Sequence, residues 1–181
     1  STLVATVDPK TAEFRSVHLD SLDALLREAE RLAAAEGAGT LRATGNWSLG
    51  QTLGHVATWI DYAYDGYPPQ VRPPWIIKVL LRTQKRKFLS GSLPRGVRIP
   101  KLEGGTLGIE PLSTQEGLRR LRSAVGRLRA GAPPHPNPIF GRMTHQEWTT
   151  GHLRHAELHF GYFHTTERLA VHHASEPAAC A

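Results

Sequence analysis

The sequence has a single cysteine, Cys180, close to its C-terminus. An internal disulfide is therefore impossible, and a cysteine-rich zinc site is excluded as well. No apolar run approaches the ~18 residues of a membrane span, because the longest one, Trp75 to Leu81, is interrupted by Lys78. The first residues also lack the basic and apolar regions of a secretory signal. We therefore expect a cytoplasmic protein without a membrane partner.

Length and composition indicate one folded domain. The chain has 181 residues, of which 40% are hydrophobic and 21% charged, so it can bury a core and is not disordered throughout. We expect an N-terminal extension over residues 1–13, a domain over residues 14–164 and a flexible tail over residues 165–181. The tail is predicted because the chain becomes polar and small after Thr165.

Positive charge is concentrated in one part of the chain. The formal net charge is +6, and residues 66–102 contain no Asp or Glu. The basic residues in this stretch are Arg72, Lys78, Arg82, Lys85, Arg86, Lys87, Arg95, Arg98 and Lys101. Such a cluster attracts nucleic acid, a membrane surface or an anionic small molecule, although a solvated basic face that only maintains solubility explains it equally simply.

Four segments have the 3.6-residue apolar period of amphipathic helices. The first carries apolar residues from Leu22 to Ala33, capped by Asp20 or Ser21. The other three begin with capping boxes, which pair Ser48 with Gln51, Ser113 with Glu116, and Thr144 with Glu147. The fourth is expected to run to about Phe163. Together they predict an all-α protein, an antiparallel four-helix bundle with a long insertion between its second and third helices.

The insertion is almost fifty residues long. Residues Trp75 to Leu89 are predicted to form an extra helix, with apolar residues on one side and basic residues on the other. Residues Ser90 to Pro111 have no clear period. A connection of this length in a compact domain is usually functional or mobile. We expect the basic residues 72–101 to cover or border the open end of a site in the bundle.

Histidine is the residue type that points to chemistry, with eight of ten histidines from His135 onward. His155 and His159 lie one turn apart on the fourth helix, where two imidazoles can converge on one ion. His152 lies close to the same line. His55 is flanked by apolar residues mid-way along the second helix and should approach the bundle interior. This pattern alone does not decide whether these histidines are packing residues or metal ligands.

Two segments around these histidines resemble a known family. The segment 47–56, WSLGQTLGHV, looks like the second helix of the DinB-like (YfiT-like) helical-bundle superfamily, and the segment 140–159 looks like its last helix. The resemblance covers roughly residues 14–164 and is closest to a branch of unknown function. It implies that His55, His155 and His159 bind a divalent metal. We expect zinc first, with nickel or iron as alternatives.

The resemblance also implies a class of reaction. Superfamily members include thiol-dependent S-transferases, a thiol-dependent isomerase and metal hydrolases. We therefore expect a metal-dependent enzyme that activates a thiol or water toward a small, anionic substrate. Tyr162, which stands where the family commonly has Gln, and His152 are the candidate hydrogen-bond donors beside the metal ligands. Asp61 and Glu157 are expected to face away from the histidines, which leaves no obvious general base.

Two further possibilities are kept beside the enzyme. One is a binding module whose basic segment 72–101 binds nucleic acid. In that case the metal would be structural or absent. The segment has few interleaved aromatics and no recognisable nucleic-acid motif, so this is the weaker hypothesis. The other is a metal-carrying protein without catalysis. A homodimer is compatible with the sequence but not required by it.

Overall fold

The computed structural model describes residues 6–166, and this part of the chain is mostly helical. It contains six α-helices and one two-stranded antiparallel sheet. The helices are α1 (Leu22–Gly37), α2 (Leu49–Asp65), α3 (Trp75–Thr83), α4 (Lys85–Ser90), α5 (Thr114–Ala130) and α6 (His145–Phe160). The strands are β1 (Leu41–Ala43) and β2 (Phe163–Thr165). The predicted start of the flexible tail is wrong, because Thr165 belongs to β2 and pairs with Leu41. The rest of the predicted tail from residue 167 onward, including Cys180, lies outside the described residues.

The helix starts follow the predicted caps, with one exception. The Ser21 side chain accepts the Ala24 N–H at α1, and reciprocal capping boxes open α2 and α6. At α5 the Ser113 hydroxyl accepts the Glu116 N–H, but the box is not closed. The Glu116 carboxylate binds Arg119 and Arg120 instead, because two charge-assisted bonds compete successfully with one backbone N–H.

Two predicted helix bounds are wrong. The fourth long helix ends at Phe160 rather than Phe163, because the chain leaves α6 to pair β2 with β1, in a register that places Ala43 opposite Phe163. The predicted extra helix over Trp75–Leu89 is two helices, α3 and α4, which meet at Gln84. Pairing with a strand distant in sequence cannot be read from a local apolar period.

The four long helices, α1, α2, α5 and α6, bury their apolar faces in one common core. Its largest completely buried apolar side chains are Leu25, Leu32, Leu49, Leu53, Ile60, Leu121, Leu128 and Phe160. Helices α2 and α5 form the most extensive pair. Their close approach depends on glycine, because a Cβ on Gly117 would lie 2.8 Å from the carbonyl oxygen of Gly50.

The end of the insertion lies against α2. A Cβ on Gly54 would lie 2.4 Å from the Leu112 side chain, and one on Gly108 would lie 2.9 Å from the Thr58 side chain. Gly108 also has a φ of +73°, which favours glycine. Glycines therefore let this segment run directly over the helix that carries His55.

The described part of the predicted N-terminal extension also packs on the domain. Asn46 exchanges two hydrogen bonds with the backbone of Val7, and the carbonyl oxygens of Lys10 and Ala12 accept from the Arg95 guanidinium. Among the helices within residues 6–166, none has the combination of length and hydropathy required to span a membrane.

Candidate metal centre

His55, His155 and His159 come together between α2 and α6. The Nε2 atom of His155 lies 3.1 Å from Nε2 of His55 and 3.1 Å from Nε2 of His159. One nitrogen from each ring can be chosen so that all three lie within 4.8 Å of one another. Sequence spacing placed two of these residues on one helical face, and the tertiary structure brings the third to them across the core.

Hydrogen bonding alone accounts poorly for this convergence. An imidazole nitrogen carries either one proton or one lone pair in the neutral ring. Nε2 of His155 therefore cannot make two ordinary hydrogen bonds at once, although it has two nitrogen neighbours at 3.1 Å. Three imidazole nitrogens within 4.8 Å of one another are close enough to share one cation.

A backbone contact fixes the tautomer of His55. Its Nδ1 lies 2.8 Å from the carbonyl oxygen of Leu107, which can only accept a hydrogen bond. The proton is therefore on Nδ1, and Nε2 presents its lone pair to the other two imidazoles. Histidine ligands of metals commonly have their second nitrogen held in this way by a carbonyl or carboxylate.

The nitrogen spacing fits a zinc-sized ion. Zinc binds imidazole nitrogen at about 2.0–2.1 Å, which puts two ligands at a tetrahedral angle about 3.3 Å apart. The two closest pairs in the cluster are 3.1 Å apart. Three neutral imidazoles would leave the +2 charge of a divalent ion uncompensated and at least one coordination position free, as in catalytic rather than structural sites.

The surroundings keep the imidazoles neutral. Burial lowers the pKa of His55 to about 4, although the Leu107 carbonyl and the charge of Glu110 act in the opposite direction. Enclosure also holds the pKa of His155 and of His159 well below the usual value, and the neighbouring histidines add to the effect. The three imidazoles are therefore neutral at neutral pH, which is the protonation state that a metal ligand requires.

Two tryptophans form walls of the cluster. The Trp47 ring stacks on His159 with centroids 5.0 Å apart and lies 4.9 Å from His55. The Trp59 ring lies 5.8 Å from His155 and donates its N–H to the Leu107 carbonyl. The sequence pattern had assigned Trp47 no role. The one feature in the sequence that could have placed Trp47 near His55 is its position directly before Ser48, the cap of α2.

His152 and Tyr162, the two donors predicted beside the metal ligands, have different surroundings. His152 is buried, stacks on Trp148 with ring centroids 6.0 Å apart, and has no hydrogen-bond partner for Nε2 within the described structure. Its proximity contributes to the low pKa of His155. The Tyr162 hydroxyl donates to the carbonyl oxygen of Pro9 at 2.7 Å. That proton is therefore used away from the cluster, and the predicted donation from Tyr162 to a ligand is not what the structure contains.

Asp61 and Glu157 face away from the three imidazoles, as predicted, but a third carboxylate, Glu110, acts on the site. Asp61 accepts a hydrogen bond from Arg127, and Glu157 binds the Leu19 N–H and the Arg154 guanidinium. Both therefore serve contacts away from the three imidazoles. Glu110 was not predicted: its side chain is exposed, and its charge partly opposes the lowering of the His55 pKa and adds to the raising of the Tyr62 pKa by burial. It lies in the stretch without a period, where no pattern could place it.

The insertion reaches the cluster through its last part. The contacts to His55 come from Leu107, which follows the basic segment 72–101. The α4 part of the basic segment lies against the first half of α6, where Lys85 pairs with Glu147 at 3.0 Å and Leu89 lies beside Gly151. Arg95 of the same segment contacts the N-terminal residues Lys10 and Ala12 instead. A backbone carbonyl has no signature in a sequence, so the Leu107 contact could not be predicted.

Comparisons with known proteins identify a family but no activity. A family described as "Protein of unknown function (DUF1569)" matches residues 11–166, which is most of the chain, so the protein belongs to this family. No significant match was found among curated proteins or among solved structures.

Proposed function

We propose that this DUF1569 member is a metal-dependent enzyme whose divalent ion, zinc first, is held by His55, His155 and His159. The observation that supports this most strongly is the convergence of three Nε2 atoms, with the Nδ1 proton of His55 committed to the Leu107 carbonyl. Nickel and iron are the alternative ions, because both are bound well by imidazole.

The chemistry proposed for the site is transfer of a low-molecular-weight thiol to a small electrophile. A divalent ion bound by three neutral ligands lowers the pKa of a thiol or of water. A thiol begins near a pKa of ~8.5 and water near ~15.7, so the thiol needs much less assistance. Sulfur then forms a bond to the electrophilic carbon, the leaving group departs with the electron pair, and the thiol proton passes to solvent.

The protein's own residues would orient the site and restrict access of water. The Leu107 carbonyl holds the His55 ring in the tautomer that presents Nε2. Trp47 and Trp59 cover the ligand rings and supply apolar surface for the carbon part of a substrate. The basic segment would attract an anionic substrate from solution, since it has no acidic residue to oppose its charge.

Metal-dependent hydrolysis is the second candidate, and Glu110 is the observation that favours it. This carboxylate is near enough for its charge to act on His55 and Tyr62. Water needs a proton acceptor to become a nucleophile more than a thiol does. An exposed glutamate at the edge of the site could accept that proton and release it to solvent.

The finer description of the fold is also a proposal. The four long helices around one core, with the insertion between α2 and α5, support an antiparallel four-helix bundle of the DinB type. Membership of the DinB-like superfamily rests on the segments around His55 and His155, because the matching family carries no such name. A cytoplasmic location belongs to the same proposal, since thiols are kept reduced there.

Metal content and activity together test this proposal. Protein purified without a histidine tag should contain one divalent ion per chain, and His55→Ala and His159→Ala should each abolish it. His18→Ala is the matched control, because its side chain is 79% exposed and is not one of the three grouped imidazoles. Equal metal in all four proteins would remove the site from consideration.

Activity is measured with a panel of cellular thiols and a generic electrophile. Metal-loaded wild type should turn over and His155→Ala should not. Ester or amide hydrolysis without any thiol dependence would replace thiol transfer by the second candidate. Duplex DNA binding with a steep salt dependence, equivalent to about six or more released counterions, would favour the nucleic-acid-binding alternative.

A further inference from the structure

Helix α3 turns its apolar face outward. None of its nine residues is buried. The exposed fractions are 74% for Trp75, 62% for Ile76, 44% for Ile77, 53% for Val79 and 58% for Leu80. With ~100° per residue, these five side chains cover an arc of about 200° on one side of the helix. Five large apolar side chains exposed together on one short helix mark an interaction surface.

Only two residues of α3 face inward, one basic and one apolar. Lys78 and Leu81 are half-buried, and they lie on the arc opposite the exposed apolar residues. A helix that only completed the core would have the reverse orientation, with its apolar arc inward. The exposed face of α3 therefore has no counterpart within the described part of the protein.

Positive charge surrounds this face. Arg72 precedes α3, Arg82 belongs to it, and Arg86 and Lys87 follow it on α4, and all four are exposed. None of these four forms an ion pair with a residue in the range 6–166, and residues 66–102 contain no Asp or Glu. Lys85 is different, because Glu147 neutralises it. The surface thus combines large apolar side chains with unopposed cations.

We propose that α3 is an interfacial anchor that places the protein on the anionic surface of a lipid bilayer. The apolar face would enter the boundary between headgroups and acyl chains, and the flanking cations would bind the lipid phosphates and carboxylates. A tryptophan at the helix start suits this boundary, because its ring is apolar and its N–H is polar. The helix is nine residues long and would lie on the membrane, not across it.

Charge favours a bilayer over a second copy of the chain. A symmetric pair of α3 helices would bring two basic segments together without any acidic residue between them. An anionic membrane supplies the opposite charge over the whole surface. This proposal departs from the expectation of no membrane partner, which rested on the lack of a spanning segment and did not address a helix lying flat.

Flotation with lipid vesicles tests the anchor. Full-length protein should bind vesicles of phosphatidylcholine mixed with phosphatidylserine at low salt and bind pure phosphatidylcholine about tenfold or more weakly. Salt should weaken the binding by screening. Trp75 fluorescence should shift to the blue on binding, and Trp75→Phe should bind while losing most of that shift.

Two double variants separate the apolar and electrostatic contributions. Ile76→Gln with Leu80→Gln should weaken binding about tenfold or more at unchanged net charge. Arg86→Gln with Lys87→Gln should weaken it about fivefold per removed cation at low salt. The matched control is Val97→Gln, since Val97 is 70% exposed but lies outside α3. All variants should keep the wild-type melting temperature, because every substituted side chain is exposed.

Three results would overturn the proposal. One is no binding to phosphatidylserine vesicles at low salt, and another is wild-type binding by the Ile76→Gln, Leu80→Gln variant. The third is a concentration-dependent dimer that this variant abolishes, without vesicle binding by the wild type. That result would assign the face to a second copy. None of these measurements depends on the metal or on activity, so the proposed function can fail independently.

Discussion

The carbonyl oxygen of Leu107 accepts a hydrogen bond from Nδ1 of His55 at 2.8 Å. This contact joins the end of the insertion to the helix that supplies one imidazole of the cluster. It determines which His55 nitrogen can bind a metal, because the proton cannot be on both nitrogens of the neutral ring. The insertion therefore contributes to the site without donating a ligand.

Displacing this carbonyl should weaken metal binding. In Gly108→Ala the new Cβ would lie 2.9 Å from the Thr58 side chain at a φ of +73°, so the segment must move. We expect metal affinity to fall about 10–100-fold, as for loss of other ligand-orienting contacts. Competition with a chromophoric chelator measures it.

Gly39→Ala is the control for this experiment. It imposes a similar φ, +70°, but has open space around the added Cβ and is remote from the cluster. Equal affinity in both variants and the wild type would show that the Leu107 contact does not orient His55.

Metal-free protein should lose stability in mild acid, and His152 should be one cause. Burial lowers its pKa from 6.5 to about 4, so between these values the unfolded chain binds a proton that the folded one does not. The free energy of unfolding therefore falls as the pH drops below ~6.5 and levels off below ~4, by about 3 kcal/mol for this residue.

Urea unfolding of chelator-treated protein across this range tests the assignment. His152→Leu retains bulk and cannot titrate, so its stability should fall less steeply than that of the wild type. The difference isolates His152 from the other buried histidines, which titrate in both proteins. Parallel pH profiles for the two proteins would contradict the assignment.

The close approach of the insertion to α2 predicts a large cost for adding one methyl group. In Gly50→Ala the Cβ would lie 2.1 Å from the carbonyl oxygen of Leu112, which is backbone and cannot rotate away. We expect a loss of about 2 kcal/mol or more in the free energy of unfolding. Denaturant titration provides the measurement.

The matched substitution is Gly126→Ala in α5. It has no atom within 4 Å of the added Cβ and lies mid-helix, so alanine should stabilise by up to ~1 kcal/mol. Similar values for both substitutions would mean that Leu112 does not lie against Gly50.

Glu110 distinguishes the two proposed reactions. If water is the nucleophile and Glu110 accepts its proton, Glu110→Gln should lower kcat for hydrolysis by about 10²-fold or more. If a thiol is the nucleophile, the same variant should retain most of its turnover, because the thiolate forms without a dedicated base. Metal content is measured in parallel, since a change in occupancy would mimic either result. Glu103→Gln, a nearby exposed carboxylate, serves as control.

The sequence was sufficient for the parts of the fold that depend on local interactions. Side-chain caps and the apolar period located four helices, since both arise from residues three or four apart. The predicted end of α6 was wrong because the chain leaves this helix to form β2, which pairs with a strand distant in sequence. That strand, β1, is more than a hundred residues away in the chain, and no local pattern records that pairing.

The same division applies to the site. His155 and His159 could be paired from sequence because four residues advance a helix by little more than one turn. His55 joined them through its apolar neighbours and the resemblance. Only the tertiary structure brought the Leu107 carbonyl, Trp47 and Glu110 to the cluster. Those contacts depend on how an aperiodic insertion packs over α2, which is set by long-range packing and not by spacing along the chain.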